Sequence, residues 1–234
     1  MKLNLKYLCI LYVLISAHGT GQTSAQKVRE DFQAKNYQLT IDEINSINSS
    51  EIHFDSLLYL KAYSQIKLNQ IREAAVSISQ LQQLNSNYYE AFFLKGLLAA
   101  KKEKYPEAIS CFNKVIDSNP NHEKAWYNMA LAKGLLEDYA NAIKDLDKCL
   151  AINPNYAMAF YNRAYWHELS ENYYAAISDY KKAIAIDPHY SEAYIALVYV
   201  FSQVGDNTNA CETLQAAKTE GIEAANDLSQ NFCK

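Results

Sequence analysis

The chain has 234 residues, 22 of them basic and 26 acidic, with a formal net charge of −4 and 50% apolar side chains. Such mild acidity without a basic cluster argues against nucleic acid and anionic membrane surfaces as partners, because both are bound through concentrated positive charge. With only six glycines there is little material for a phosphate-binding loop, and no nucleophile elbow or metal-ligand cluster occurs, so the chain is read as non-enzymatic and without cofactor.

Lys2 and Lys6 precede an apolar run, Tyr7 to Ile15, followed by small and polar residues from Ser16 to Gln22. A basic start, a short apolar stretch and a small-residue exit predict a secretory signal peptide over 1–21, with cleavage near Gly19, Gly21 or Ala25. The run is about half of a bilayer span, which disfavours an anchor. The mature chain is therefore expected in the periplasm or outside the cell, without a membrane span. Loss of Lys2 and Lys6 leaves 20 basic residues against 26 acidic ones.

Residues 22–54 read as a degenerate helical repeat that caps the array. Val28, Tyr37, Ile44 and Ile47 fall in phase with later units, while Asn45 to Ser50 forms a polar loop. Repeat arrays need such ends, because a terminal unit exposes a face that an internal one would bury.

From Asp55 the pattern becomes regular, with five units expected at 55–88, 89–122, 123–156, 157–190 and 191–221. Pro120, Pro154 and Pro188 are evenly spaced and mark its period. In the unit closed by Pro154, Trp126, Ala130, Ala142, Leu146 and Cys149 follow one another at helical spacings. Phe160, Ala164, Ala176, Tyr180 and Ala183 repeat the order before Pro188, and Phe92, Gly96, Ala108, Phe112 and Val115 before Pro120. Two antiparallel helices in close contact fit this spacing: small residues let the backbones approach, and larger ones fill the seam. Proline then stops the second helix. The flanking units keep the phase through Leu58, Ala62 and Ala74, and through Tyr194, Val198 and Ala210, with Ser86 and Gly221 in place of the proline.

On these residues the chain resembles the tetratricopeptide repeat, a 34-residue helix-turn-helix, over roughly three quarters of its length. The resemblance implies an all-α solenoid of antiparallel helix pairs forming a right-handed superhelix, whose concave side is lined by the first helix of each unit. First-helix residues outside the seam then decide what is bound. They include Phe93, Tyr127 and Tyr161 at one level, and Leu97, Leu131, Tyr165 and Tyr199 one turn on. Tyrosine suits a partly wet face, with a flat apolar ring and a hydroxyl that still hydrogen-bonds. Asn128 and Asn162 occupy equivalent places, where asparagines of peptide-holding relatives reach the ligand backbone; bracing of neighbouring helices is the competing role. The subclass that clamps a partner's C-terminal carboxylate is not resembled: Phe93 and Leu97 stand where basic and amide residues are expected, and Arg163 has no second cation in register.

After Gly221, Ile222, Ala224, Ala225, Leu228 and Phe232 predict one more amphipathic helix, at 222–234, covering the open end of the array. Cys211 and Cys233 lie about ten and twelve residues from the Glu220–Gly221 turn, at roughly the same height in an antiparallel pair. They can bridge in an oxidising compartment or remain two half-buried thiols. The closing stretch also resembles the endings of exported tetratricopeptide proteins of the Bacteroidota, which agrees with export. Cys149 takes a small core position and reads as an inert thiol. His53, His122, His167 and His189 show no metal-ligand spacing. Acid pairs such as Asp145 and Asp147, or Glu137 and Asp138, read as solvated.

The expected function is a protein-interaction module of the cell envelope that holds a peptide or helix in an aromatic groove. The alternatives are a structural role, in which the aromatic stripe buries a second copy of the chain or its own N-terminal segment, and a glycan-binding module. A homo-oligomer is compatible with the pattern.

Overall fold

The computed structural model describes residues 25–47, 54–86 and 88–233. The apolar N-terminal run, read above as an export signal, lies outside them. Every regular element among the described residues is an α-helix. Contacts divide the chain into two compact units, 1–104 and 105–234. The first contains α1 (25–33), α2 (Tyr37–Ser46), α3 (Phe54–Lys67), α4 (Ile71–Leu84) and α5 (Glu90–Lys101). The second contains α6 (Tyr105–Ser118), α7 (Glu123–Gly134), α8 (Tyr139–Ile152), α9 (Ala157–Leu169), α10 (Tyr173–Ile186), α11 (Ser191–Gln203), α12 (Asn207–Thr219) and α13 (Ala224–Phe232). Within each unit consecutive helices pack on one another as antiparallel pairs, and α13 packs on α12 at the C-terminal end.

One backbone device recurs just after the first helix of every repeat. Lys35, Asn69, Glu103, Glu137, Glu171 and Gly205 all have φ between 58° and 75°, and each follows the last by one repeat length. At each of them the amide bonds three residues back and the next amide bonds five back, as in Glu137 N–H to Gly134 O and Asp138 N–H to Lys133 O. This is the Schellman closure, which satisfies the last carbonyls of the first helix and reverses the chain. Lys35 obeys the same period, so α1 and α2 form a helix pair of the same design despite their divergent sequence. Gly221 (φ 76°) closes α12 in the same way and turns the chain into α13.

The connections between pairs use different chemistry. Asn119, Asn153 and Asp187 each accept, on a side-chain oxygen, the amide two residues on: Asn121, Asn155 and His189 respectively. The intervening residue is a proline in each case, which cannot extend the preceding helix.

The seam is built on small residues. Ala62 with Ala74, Ala130 with Ala142, and Ala164 with Ala176 are fully buried in the three pairs α3/α4, α7/α8 and α9/α10. Phe112, Leu146, Tyr180 and Leu214, at equivalent places in successive repeats, fill the second-helix side and are also inaccessible. Burying a side chain of that size contributes about 1.5–3 kcal/mol. Gly134, the last residue of α7, has a different partner. A β-carbon there would lie 2.3 Å from the Trp166 ring, which is 6% exposed and stacks on Tyr139 at 5.5 Å and 16°. The absent side chain of Gly134 is the seat of that indole.

At the C-terminus, Ile222 and Ala225 are buried and Leu228 is partly buried against the cluster formed by α9–α12. Cys211 of α12 is disulfide-bonded to Cys233, just past α13, with Cα atoms 5.4 Å apart. The covalent link joins the capping helix to the pair it covers.

Candidate partner-binding face

The first helices of the second unit, α7, α9 and α11, carry most of the residues expected to meet a partner, and the structure sorts these into two groups. Tyr127 belongs to the interior. It is 6% exposed, and its ring lies 4.9 Å from that of Tyr156, the residue leading into α9. Tyr161 is covered in the same way by Tyr190, 5.0 Å away, and in the first unit Tyr59 meets Tyr88 at 6.4 Å. Each such pair joins a first-helix tyrosine to the junction that enters the following repeat, so the inner level of the stripe braces one repeat against the next. Burial raises the Tyr127 and Tyr161 hydroxyl pKa values and pushes that of Tyr190 up to about 12.

Phe93, on α5 of the first unit, also differs from expectation, being 2% exposed. Leu97, one turn on, is partly exposed and packs against the core of Leu58, Ala62, Leu94 and Leu98. The view of Phe93 and Tyr127 as an open aromatic surface is therefore corrected. First-helix periodicity alone does not count the rings supplied by the junctions, although the recurrence of Tyr88, Tyr156 and Tyr190 in phase with the repeat carries that information.

The outer level is open. Tyr165 of α9 is 40% exposed and Tyr199 of α11 46%, and Leu131 is partly exposed at the equivalent place on α7. Met158 and Leu169, at the two ends of α9, and Leu135, just after α7, are each more than two-fifths exposed. Together they give the second unit an apolar strip along its first helices.

The asparagines are engaged within the protein. Asn128 Nδ2 donates to the Lys124 carbonyl at 2.7 Å. Asn162 Nδ2 donates both to the Met158 carbonyl (2.7 Å) and to the Tyr127 hydroxyl (3.0 Å), linking two repeats. With both amide hydrogens of Asn162 committed, its side-chain oxygen is the group left to accept an N–H from a ligand.

Behind this face runs a buried ionic layer that the sequence reading missed. Asp145 is 6% exposed and pairs with Lys133 at 2.6 Å; Asp179, its equivalent in the next repeat, is 4% exposed and takes Arg163 Nε at 2.6 Å and Nη2 at 2.8 Å. The reading of Asp145 as a solvated acid is thus corrected. It lies between Ala142, Leu146 and Cys149 on the packed side of α8, where only a cation from α7 makes its charge tolerable. Burial raises the Asp145 pKa, opposed by Lys133. Arg163 also bonds the exposed Asp147 at 2.6 Å. With three contacts to carboxylates its guanidinium is an internal tie and not a ligand clamp. His167, next to this layer, keeps its Nδ1 buried without a hydrogen-bond partner among the described residues, and burial lowers its pKa. Cys149 is fully buried, and its thiol is pushed up to about 12 by desolvation. Such a thiol is a poor nucleophile. Among the described residues no group of three or more His, Cys, Asp or Glu is placed to hold a metal ion.

Comparison with known proteins gives the same architecture. Tetratricopeptide repeat families match residues 59–123, 123–156 and 157–190. Among solved structures, PilW, described as a widely conserved type IV pilus biogenesis factor, superposes with a TM-score of 0.74 at 16% identity, covering 86% of this chain and 93% of its own. A tetratricopeptide repeat protein from Parabacteroides merdae gives 0.63 at 18% identity, with coverage of 86% and 80%. YrrB, described as a TPR protein with an unusual peptide-binding site, gives 0.60 at 17% identity, with coverage of 83% and 97%. No curated protein matches the chain. At these identities the solved structures establish the fold, and the sequence families, which together span 59–190, establish the lineage: the chain belongs to the tetratricopeptide repeat family.

Proposed function

We propose that this tetratricopeptide repeat protein is a non-enzymatic interaction module of the cell envelope that holds an extended segment or helix of a partner protein along the first helices of its second unit. The observation that carries the reading is the open outer strip. Tyr165, Tyr199, Met158 and Leu169 are each 40% or more exposed on helices whose other faces are packed. Apolar surface of that kind, interrupted by tyrosine hydroxyls and the amide oxygen of Asn162, suits a peptide whose backbone also needs hydrogen-bond partners. Leu131 and Asn128 extend the contact onto α7, and Tyr161, partly buried under Tyr190, borders it on α9. Export is supported by the Cys211–Cys233 bridge, since disulfides persist in oxidising compartments. No helix among the described residues is long and apolar enough to cross a membrane.

Affinity capture from the native envelope tests the reading, comparing wild type with a Tyr165→Ala, Leu169→Ala, Tyr199→Ala variant and reading both by mass spectrometry. These side chains are half-exposed, so the helical signal should be retained. A partner protein recovered by wild type and lost with the variant is the expected result. Equal recovery by both refutes the location. Recovery of the chain itself, or of glycan alone, refutes the assignment of a foreign protein partner.

A further inference from the structure

We propose that the tyrosine face shared by α9 and α11 receives a cationic side chain, lysine or arginine, from the bound segment; the inference rests on the partner-binding reading above and adds the chemistry of the ligand. On α9, Tyr161, Tyr165 and Glu168 recur at steps of four and three residues and so share one side of the helix. On α11, Glu192 and Tyr199 are two helical turns apart, again on one side. Tyr161 lies against Tyr190 at 5.0 Å and packs with the core that includes Leu197 and Val198 of α11. The Tyr180 hydroxyl, 2.8 Å from Glu168 Oε2, places that carboxylate at the same ring cluster. Both Glu168 and Glu192 act electrostatically on the Tyr161 hydroxyl and, after burial, raise its pKa further.

The charge balance of this face differs from that of the layer behind it. Asp145 is neutralised by Lys133, and Asp147 and Asp179 by Arg163, with Lys182 near Asp179. Glu168 and Glu192 accept hydrogen bonds from Tyr180 and Ser191 respectively, and neither has an ion-pair partner among the described residues. Two carboxylates without a cationic partner, next to the partly buried Tyr161 and on helix sides that also carry the half-exposed Tyr165 and Tyr199, make a site for a cation, which gains from the ring faces and the negative charge together. The same field disfavours an acidic segment or a terminal carboxylate.

The test uses the purified protein and an array of random 12-residue peptides, followed by anisotropy titration of one fluorescein-labelled binder in three forms, with Arg, Gln or Glu at the selected position. Enrichment of Lys or Arg is expected, with the Arg form bound about tenfold more tightly than the Gln form. A Glu168→Gln, Glu192→Gln variant should lose most of the preference for the Arg form over the Gln form, keeping only the part the ring faces supply, and lose most of the salt dependence between 50 and 300 mM NaCl. Binders that show no cation preference yet are lost with Tyr165→Ala, Tyr199→Ala overturn this inference and leave the partner-binding reading standing. Preference for the Glu form also overturns it. If no peptide in the array binds, both readings fail.

Discussion

Replacing Gly134 by alanine sets two effects of opposite sign against each other. At an open helix position the change stabilises by about 1 kcal/mol, because glycine loses more backbone freedom on folding. Here the new β-carbon would stand 2.3, 2.4 and 2.8 Å from three carbons of the Trp166 indole, whereas carbon pairs are comfortable at about 3.5–4.0 Å. A rigid ring has to retreat by more than about 1 Å, and it is 6% exposed, with Tyr139 stacked on it. Overpacking of this kind costs about 1–3 kcal/mol, and the disturbed stack about 0.5–1.5 kcal/mol more. The net expectation is a loss of about 2 kcal/mol, or a Tm lower by roughly 4–8 °C for a chain of this size. Urea and thermal unfolding followed by circular dichroism, on wild type, Gly134→Ala, Trp166→Phe and the double variant, measure it. The double variant should cost less than the sum of the singles by about 1–2 kcal/mol, because the smaller ring makes room for the methyl group. A Gly134→Ala protein more stable than wild type would refute the reasoning, since it would mean that the indole moves aside at no cost.

Three further outcomes follow from the same geometry. Glu137→Gly should stabilise by about 0.5–1 kcal/mol in urea unfolding, because a φ of 62° penalises a side chain by more than glycine's extra entropy costs; destabilisation would show that the Glu137 side chain has a contact of its own. Asp179→Ala should cost about 3 kcal/mol by leaving Arg163 partly uncompensated in a buried place, while Asp147→Ala, whose side chain is 55% exposed, should cost under about 1 kcal/mol; equal losses would refute the buried-pair account. His167 has a folded pKa below its ordinary value near 6.5, so the unfolded chain takes its proton first and stability falls as the pH drops below about 6.5. Asp179 and Asp147 oppose that shift and Arg163 reinforces it. The slope of unfolding free energy between pH 7 and 5 should flatten in His167→Gln, and an unchanged slope would place the dependence elsewhere.

The candidate face was legible only in part. Tyr165 and Tyr199, where first-helix periodicity puts an outward face, are 40% and 46% exposed. Phe93 and Tyr127 obey the same periodicity and are buried. A residue's helix face says which neighbour it points toward, and not whether a later segment closes over it; over Tyr127 the Tyr156 ring, entering the next repeat, does so. Asp145 and Asp179 escaped notice for a related reason. An acid among apolar residues reads as solvated until its counter-ion is located, and Lys133 and Arg163 come from another helix at spacings unrelated to the repeat.

Sequence by itself determined the period, the helix pairs and their class. Proline, the small residues of the seam and the recurring aromatics act locally or between neighbours one repeat apart, so their physics is visible in a one-dimensional pattern. It also placed Cys211 and Cys233 at one height, with bridging and separate thiols both left open. The tertiary structure decided that they are bonded, because a bond needs Cα atoms as close as the 5.4 Å found here and not only equal height. It showed that the divergent segment before Asp55 closes its turn at Lys35 as the regular repeats do, a backbone property that several side chains can satisfy. It also separated the tyrosines that brace the array from those left to meet a partner, since burial is a sum over all neighbours in space.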